Sequence, residues 1–301
     1  MIGMRVLQGA LFAALTVWMA AAHPAQVLSE FGEQNYVENS SPFPWAVDIV
    51  TFGGGTSRQG SGALIAPNAI LFAAHIGEAP VSLAFATFGP NYFTDFTHQV
   101  FFDEIHIDPT WDGTFGGNGY DLAIGILPAP IWDIVPVPLR RAPPPGVGTP
   151  ATFVGYGPTA VDGSTEFVTD GNRRSWRNNI DSNGADVGFA THWWSVQYSD
   201  VDGVTDFEGA ANPGDDGLCV LDGSLQCWAL YSFDEQGEGF LSTDWSVAVY
   251  DRLAWIDSVL AANPPVTVPI PSASLWVMLI GLLLAPLVAP KALHPHQLRL
   301  R

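Results

Sequence analysis

The amino-acid sequence predicts an all-β protein of the sandwich or barrel type. From Pro44 to Val249, short apolar runs are separated by Gly, Pro, Asn and Asp, and almost no stretch has helical periodicity. The proline-rich segment RRAPPPGVGTP (140–150) lies near the middle and divides these runs into two similar sets. Such a break is typical of a linker between two barrels.

Individual strands follow from composition, because β-branched and aromatic residues cluster between turn-forming residues. In chain order these stretches are WAVDIVTF (45–52), SGALIAPNAILFAA (61–74), HQVFFDEIHI (98–107), DLAIGILP (121–128), PATFVGYG (150–157), CVLDGSLQCWALYSF (219–233) and WSVAVY (245–250). The acidic, Gly- and Asn-rich stretch from Asp162 to Gly209 predicts a set of long surface loops. A terminal helix is expected over residues 250–262, where Leu253, Ile256 and Leu260 share one face.

The charge of the chain is strongly asymmetric. The first 22 residues and those after 275 hold four of the 11 basic residues, and the region between carries seven basic and 30 acidic residues. An acidic surface repels phosphate backbones, so nucleic acid is not expected as a partner, whereas a cationic partner or divalent ions fit the charge. Excess acid also keeps exported proteins soluble, which is the simpler explanation.

The first 25 residues have the order of a secretory signal. Arg5 precedes the apolar run VLQGALFAALTVWMAAA, which ends in small residues. We therefore expect cleavage after Ala22 or Ala25 and export of the mature chain.

The C-terminal segment has the order of a membrane stop. A proline-rich linker and sorting motif (263–274) precedes an apolar stretch (275–290) and a basic tail (291–301). The segment resembles the VPLPA variant of bacterial PEP-CTERM sorting tails, which a membrane peptidase of the exosortase type processes. This resemblance, or a plain membrane anchor, implies a place in a bacterial envelope or outside the cell.

The two cysteines, Cys219 and Cys227, flank a hairpin signal at Asp222 and Gly223. They are expected to meet across adjacent strands as a disulfide, which persists in an oxidising compartment. Two thiols alone make a poor metal site, so a metal or redox role is disfavoured.

Five motifs, in the same order along the chain, resemble segments of trypsin-like (chymotrypsin-fold) serine proteases. They are PFPWAVDI (42–49), SGALIAPNAILFAAHI (61–76), YDLAIGIL (120–127), ATFVGYGPT (151–159) and VAVYDRLAWIDSVL (247–260). The resemblance covers about residues 41–262. It implies two Greek-key six-stranded β-barrels, at about 41–140 and 146–249, followed by a closing helix at 250–262.

The same resemblance implies the machinery of a serine-type endopeptidase, which uses no cofactor. His75 is then the base, Asp121 is the carboxylate that orients it, and Asp216 stands at the nucleophile position. The remaining residues that the resemblance implies are Gly214 and Asp216 for the oxyanion hole and Ala210 and Tyr231 for the substrate pocket.

The sequence departs from that family pattern at several points. Asp216 replaces the nucleophilic serine, and Ile76 and Gly60 stand where the family has a cysteine pair. No Ile-Val-Gly-Gly start precedes PFPW, which argues against activation by a new N-terminus that pairs with Asp215. Ala210 would leave the pocket without an anchor for a basic residue.

An aspartate at position 216 is expected to abolish peptide cleavage. If it attacked an amide, the tetrahedral adduct would expel a carboxylate, with a pKa of about 4, more readily than an amine. A second anion beside His75 would also keep the imidazole protonated, so that it is unable to accept a proton. The sequence thus predicts an exported protease homologue without activity that binds a peptide or protein or associates with the envelope.

Three other functions stay open at this stage. In the first, His75 activates a water for hydrolysis, preferably of esters, with Asp216 as an electrostatic helper. In the second, His75, Asp121 and Asp216 together form one known type of metal-ligand set. An acidic matrix protein is the third, in which calcium binds to oxygen ligands in loops. Its candidate ligands are Asp181, Asp186, Asp200, Asp202, Asp206 and Glu208.

Overall fold

A computed structural model describes residues 25–28, 31–78, 80–161, 168–197, 207–211, 214–235 and 243–266 of the chain. Nearly all of the predicted signal segment, most of the linker, and the whole of the predicted membrane segment (275–290) and basic tail (291–301) lie outside these residues. Within the described ranges, no helix has the length and apolar composition needed to span a membrane.

Strands dominate the described residues, as the sequence predicts. The strands are β1 (Ala25–Val27), β2 (Ala46–Gly53), β3 (Thr56–Ala66), β4 (Ala69–Phe72), β5 (Leu83–Phe88), β6 (His98–Phe101), β7 (Glu104–Ile107), β8 (Ala123–Ile126), β9 (Pro150–Gly155), β10 (Thr159–Val161), β11 (Arg174–Asn179), β12 (Ser182–Asn183), β13 (Trp193–Gln197), β14 (Gly209–Ala210), β15 (Cys219–Leu221), β16 (Cys227–Glu235) and β17 (Thr243–Ala248). The α-helices are α1 (Glu33–Asn39), α2 (Ala74–Gly77) and α3 (Leu253–Ala262).

The first barrel is a curled antiparallel sheet with the order β6-β5-β2-β3-β4-β8-β7. Its two outermost segments are nearly continuous in the chain, because only Phe102 and Asp103 separate β6 from β7. β6 pairs with β5 at one edge and β7 pairs with β8 at the other. The two segments therefore act as one bent strand that joins both edges, which gives six strands around the barrel.

The second barrel repeats this arrangement, with the order β11-β9-β15-β16-β17-β13-β12. Ile180 and Asp181 interrupt a bent strand whose first part, β11, pairs with β9 and whose second part, β12, pairs with β13. The prediction of two six-stranded barrels followed by a helix is confirmed.

An N-terminal arm packs on the second barrel. In a separate small sheet, β1 lies between β10 and β14, parallel to the first and antiparallel to the second. Helix α1 lies against β11. There the buried Tyr36 hydroxyl donates to the carbonyl oxygen of Glu208 at 2.8 Å. The arm thus ties the residues just before the 214–218 turn to the rest of the barrel.

The stretch from Asp162 to Gly209, predicted as surface loops, contains β11, β12 and β13, so that prediction is wrong in part. Its composition is polar, as in RSWRNN (174–179), yet most of these side chains are buried. Backbone pairing with β9 and with β17 fixes two of these strands. Tertiary pairing overrides local propensity here, which composition does not reveal.

The predicted disulfide is confirmed: Cys219 on β15 and Cys227 on β16 are bonded and fully buried. Asp222 forms the hairpin turn between them, because its Oδ1 accepts from the amides of Ser224 and Gln226 at 2.8 and 3.1 Å. The bridge joins the strand that leaves the 214–218 turn to its neighbour.

The main apolar core fills both barrels and the space between them. Leu64 and Phe72 represent the first barrel in this core, and Val154 and Leu230 the second; all four are fully buried. The closing helix α3 contributes Ile256 and Val259, while Leu253 and Leu260 are half-buried. Its buried face is therefore rotated slightly from the one that the sequence indicates.

Asp48 is an unusual member of the buried interior. It lies on β2 with 1 % of its surface exposed, and its Oδ1 accepts from Gln59 Nε2 at 2.7 Å. Burial raises the pKa of Asp48 to about 7, and the hydrogen bond from Gln59 only partly opposes this effect. The carboxyl group is thus expected to change its charge near neutral pH.

Asp48→Asn is expected to raise the free energy of unfolding at pH 8 by up to about 4 kcal/mol relative to the unaltered chain. The pKa of the folded state lies above the ordinary 3.8, so the stability contributed by this carboxyl is present below about pH 4 and is lost as the pH rises through about 7. Urea unfolding at pH 4.5 and pH 8 measures the difference. A surface control, Asp133→Asn, should show no such pH dependence, and a gap that stays constant with pH would contradict the assignment.

Candidate functional site

The structure brings His75 and Asp121 together between the barrels. His75 Nδ1 lies 2.7 Å from Asp121 Oδ2, and the His75 backbone amide donates to Asp121 Oδ1 at 2.9 Å. Asp121 is fully buried just before β8, and His75 lies in the short helix α2 after β4. From the second barrel, Ser232 Oγ also donates to Asp121 Oδ2. Sequence reasoning missed Ser232, although it adjoins the predicted pocket residue Tyr231.

The 214–218 turn, which carries Asp216, is fixed from both barrels. The Asp216 carbonyl oxygen accepts from the Ser61 amide, and the Gly217 amide donates to the Tyr231 carbonyl oxygen, each at 2.8 Å. Gly217 has a φ of 87°, and a Cβ atom there would lie 2.5 Å from the Ser61 carbonyl oxygen. Only glycine fits this close approach.

The Asp216 side chain folds back onto the 214–218 turn that carries it. Its Oδ2 accepts from the Gly214 amide at 3.3 Å and lies 4.0 Å from His75 Nε2. Gly214 supplies one of the two amides that the sequence assigns to an oxyanion hole. That amide is therefore bonded to a carboxylate and is not left for the oxygen of a reacting carbonyl.

Two carboxylates control the charge of His75. Burial of the imidazole acts to lower its pKa, but Asp121 and then Asp216 outweigh this effect and raise the pKa of His75 to about 10. The imidazole is protonated at neutral pH, so it acts as a cation and a proton donor. It is not available as a base while Asp216 is ionised.

The imidazole of His75 is expected to titrate near pH 10, which NMR of its ring signals measures. Asp216→Asn should lower this pKa, because it removes one anion and leaves Asp121 in place. Since the folded-state pKa lies above the ordinary 6.5, the stability contributed by the imidazolium is present below about pH 6.5 and is lost as the pH rises through about 10. A ring that titrates near 6.5 in the unaltered chain, or at the same pH in both proteins, would refute this account.

The two positions that lack the family's cysteine pair lie side by side. A Cβ atom on Gly60 would lie 3.0 Å from Ile76 Cγ1 and 2.6 Å from the Asp216 carbonyl oxygen. Gly60 and Ile76 therefore adjoin each other next to His75, where the resemblance implies a cysteine pair. This close approach leaves no room for a larger residue at position 60.

The Asp215 carboxylate occupies the space that side chains at positions 155 and 157, on either side of Tyr156, would need. The Gly157 amide donates to Asp215 Oδ1 at 2.7 Å, and the carboxylate is fully buried. A Cβ atom on Gly155 or Gly157 would lie 2.3 Å from an Asp215 oxygen. Strand β1 runs beside this segment, because Ala25 pairs with Thr159.

The predicted pocket residues Ala210 and Tyr231 are both buried, on β14 and β16. Beside them the structure places a carboxylate that sequence reasoning missed. Asp244 Oδ2 accepts from the Ala211 amide at 2.7 Å, and among the described residues its buried Oδ1 has no hydrogen-bond partner. The Asp244 carboxylate therefore lies beside Ala211, the neighbour of Ala210 in the chain.

The charge of Asp244 depends on the groups around it. Burial raises its pKa well above the ordinary value, the Ala211 amide opposes this effect, and the charges of Asp234, Asp215 and Asp216 add to it. A cation brought close to these carboxylates would lower the pKa of Asp244 and favour the ionised form.

Aromatic side chains form one wall beside His75. Phe115, which is 43 % exposed, contacts the His75 ring edge-on with 5.3 Å between ring centroids. Phe115 also packs against Phe233 at 5.1 Å and Trp111 at 5.6 Å. Sequence reasoning missed this wall, since these residues lie in different barrels and no local pattern joins them.

The metal and calcium alternatives find no support in the described ranges, where no cluster of three His, Cys, Asp or Glu side chains is placed to hold a metal ion. Asp181 Oδ2 accepts from the Gln197 amide, and Asp186 Oδ2 accepts from the Asn183 amide at 3.3 Å. Glu208 is buried. The other proposed calcium ligands, Asp200, Asp202 and Asp206, lie outside the described residues.

Comparisons with known proteins find similarity in the fold. No family model matches the chain, and no curated protein matches it. Among solved structures, neuropsin, a serine protease of mouse brain, is similar with a TM-score of 0.57 and 14 % identity, over 72 % of this chain and 94 % of that one. An inactivated protease paralogue of the scabies mite is similar with a TM-score of 0.59 and 18 % identity, over 76 % of this chain and 99 % of that one.

These similarities show the fold alone, because both identities are low. The chain has the two-barrel chymotrypsin-like fold of trypsin-like serine proteases, with a C-terminal helix.

Proposed function

We propose that this chain is a protease homologue that binds a peptide segment of a partner protein and does not cut it. The observation that carries the proposal is the position of Asp216, at the nucleophile site, with its Oδ2 on the Gly214 amide and 4.0 Å from His75 Nε2. Asp216 and His75 thus form an ion pair at the place where a serine protease needs a neutral hydroxyl and a neutral base.

Three chemical reasons argue against amide hydrolysis at this site. An adduct of Asp216 with an amide would expel the carboxylate and revert to substrate. Protonated His75 accepts no proton from a nucleophile. The negative charge that develops on a reacting carbonyl would lie next to the Asp216 carboxylate, which disfavours it. The fold tolerates such a loss, since one similar structure is described as an inactivated protease paralogue.

Charge indicates which peptides would bind. Asp216, Asp234 and Asp244 lie on adjoining segments of the second barrel, and each carboxylate acts on the pKa of the buried Tyr231 hydroxyl. The chain is also acidic as a whole, with a formal net charge of −19. A peptide with a lysine or arginine side chain directed toward Asp244 would offset this charge.

The test compares cleavage and binding in the purified chain. A panel of peptides, each with lysine or norleucine at one position, is followed by mass spectrometry for cleavage and by calorimetry for affinity. We expect no cleavage and tighter binding of the lysine peptides, with a preference that shrinks in Asp244→Asn but not in Asp133→Asn. Peptide turnover that disappears in His75→Ala would refute the proposal.

We also propose that the chain is exported and tethered to the envelope. The buried disulfide and the fold are consistent with export. Anchoring through residues 275–290, followed by processing near the 263–274 motif by an exosortase-like peptidase, rests on the sequence resemblance.

A further inference from the structure

The carboxylate at position 216 is poorly suited to attack an amide but well placed to attack a different electrophile. Its Oδ2 is held by the Gly214 amide, and the described residues place no hydrogen-bond donor on its Oδ1. The side chain retains 16 % exposure, and that of His75 retains 19 %. Asp216 Oδ1, which accepts no hydrogen bond from the described residues, and the imidazole of His75, which donates a proton, therefore lie in one solvent-accessible site.

We propose that Asp216 is the nucleophile of an epoxide-opening reaction in which His75 is first the acid and then the base. The chemical class of substrate is a small epoxide with an apolar substituent, and the product is the corresponding diol. This activity does not depend on peptide binding, so it stands or falls separately from the function proposed above.

The argument that excludes amides does not apply to epoxides. Attack on an amide carbonyl gives a tetrahedral adduct that reverts by expelling the carboxylate. Attack on a saturated ring carbon gives no such adduct, because the carbon–oxygen bond of the ring breaks as the new bond forms. The release of ring strain then prevents reversal, and a covalent ester remains.

The first step uses Asp216 as a carboxylate and His75 as an imidazolium, which the raised pKa of His75 favours. Asp216 Oδ1 forms a bond to a ring carbon, the ring carbon–oxygen bond breaks, and its electron pair goes to the oxygen. His75 Nε2 donates its proton to that oxygen. The products are a hydroxyalkyl ester on Asp216 and a neutral imidazole. An alkyl halide would make no use of this proton donor, which favours the epoxide.

The second step hydrolyses the ester. Because the ester is uncharged, His75 loses one of its two neighbouring anions and its pKa falls, so the imidazole becomes a base. It takes a proton from a water molecule, whose oxygen attacks the carboxyl carbon of the ester. The Gly214 amide, already 3.3 Å from Oδ2, stabilises the charge that develops there. The alkoxide leaves and takes the proton of the carboxylic acid that the attack by water leaves on Asp216. The diol is thus formed, and the Asp216 carboxylate and protonated His75 are restored.

The surroundings suit an apolar substituent. Phe115 is 43 % exposed and contacts both His75 and Phe233, so an aryl or alkyl group beside the ring carbon would lie against aromatic surface. Asp121 and Ser232 keep the imidazole oriented through both steps, as they do in the structure.

Styrene oxide and the full-length chain test the proposal. In water enriched in oxygen-18, the unaltered chain is expected to form the diol and to place the heavy oxygen in the Asp216 carboxylate. Acid quenching of the unaltered chain during turnover should trap the ester, and peptide mapping should find it on Asp216. His75→Gln lacks both the acid of the first step and the base of the second, so it should form the diol about a hundredfold or more slowly. Asp216→Ala should give neither diol nor adduct, and the surface control Asp133→Asn should behave like the unaltered chain.

Each possible outcome decides a step. The labelling in oxygen-18 water needs no variant, so it remains informative if His75→Gln fails to fold, which circular dichroism checks. An adduct spread over surface carboxylates, or diol formation without heavy oxygen in Asp216, would overturn the first step, and so would the absence of both diol and ester from the unaltered chain. A lasting ester in the unaltered chain without diol would overturn the second.

Discussion

Asp216→Ser is expected to convert the chain into a working hydrolase, with at least a hundredfold or so more activity on activated esters than the unaltered chain. The serine hydroxyl would replace the carboxylate, which frees the Gly214 amide for a reacting carbonyl oxygen. It also removes one of the two anions that hold His75 protonated, so the pKa of His75 falls and the imidazole becomes a base. Asp121 and Ser232 already orient the imidazole. Hydrolysis of a nitrophenyl ester and labelling by a fluorophosphonate measure the gain.

Two controls make this gain interpretable. Asp216→Ala removes the carboxylate without supplying a nucleophile, so it should stay near the background rate. In the Asp216→Ser chain, an added His75→Ala should abolish the new activity. If Asp216→Ser were no more active than Asp216→Ala, the loss of function would not reside in this one side chain.

Arg174→Ala is expected to lower the free energy of unfolding by about 3 kcal/mol or more. The Arg174 side chain is 2 % exposed and pairs with Asp170 in the second barrel and with Glu33 on helix α1 of the N-terminal arm. Removal of this guanidinium leaves two carboxylates without their cation, leaves a cavity and loosens the arm. Urea unfolding at pH 7 measures the change.

Arg141 provides the matched control. It pairs with Asp257 on helix α3, but both side chains are largely exposed, at 59 % and 46 %. Arg141→Ala should therefore cost no more than about 1 kcal/mol. Equal losses in the two variants would mean that burial does not decide the contribution of Arg174.

The sequence predicts the elements that carry local signals. His75 follows an apolar strand, Asp121 precedes the buried strand β8, and Asp216 lies in a glycine-bounded turn. The assignment of all three to one site comes from the resemblance of the surrounding segments to trypsin-like serine proteases, in the same order along the chain. The disulfide likewise follows from a hairpin turn between two apolar runs, which brings Cys219 and Cys227 together.

Other features have no local signal. Ser232 lies in the predicted strand segment 219–233 and Asp244 directly precedes the predicted strand 245–250. Nothing near them in the chain distinguishes a hydroxyl that contacts Asp121 or a carboxylate that accepts from the Ala211 amide. Strands β11 and β12, between Asp162 and Gly209, are polar in composition, and pairing with β9 and β13 fixes them. The aromatic wall of Phe115 and Phe233 joins two barrels.

The sequence by itself indicated an all-β chain in two sets of strands with a closing helix, because periodicity and turn residues are properties of short segments. The assignment of Asp216 to the nucleophile position rests on the resemblance to trypsin-like serine proteases. Only the tertiary structure decided what that aspartate does. Its carboxylate rests on the Gly214 amide and faces a protonated His75. The pKa of a buried group and the direction of a side chain depend on atoms brought together from distant parts of the chain.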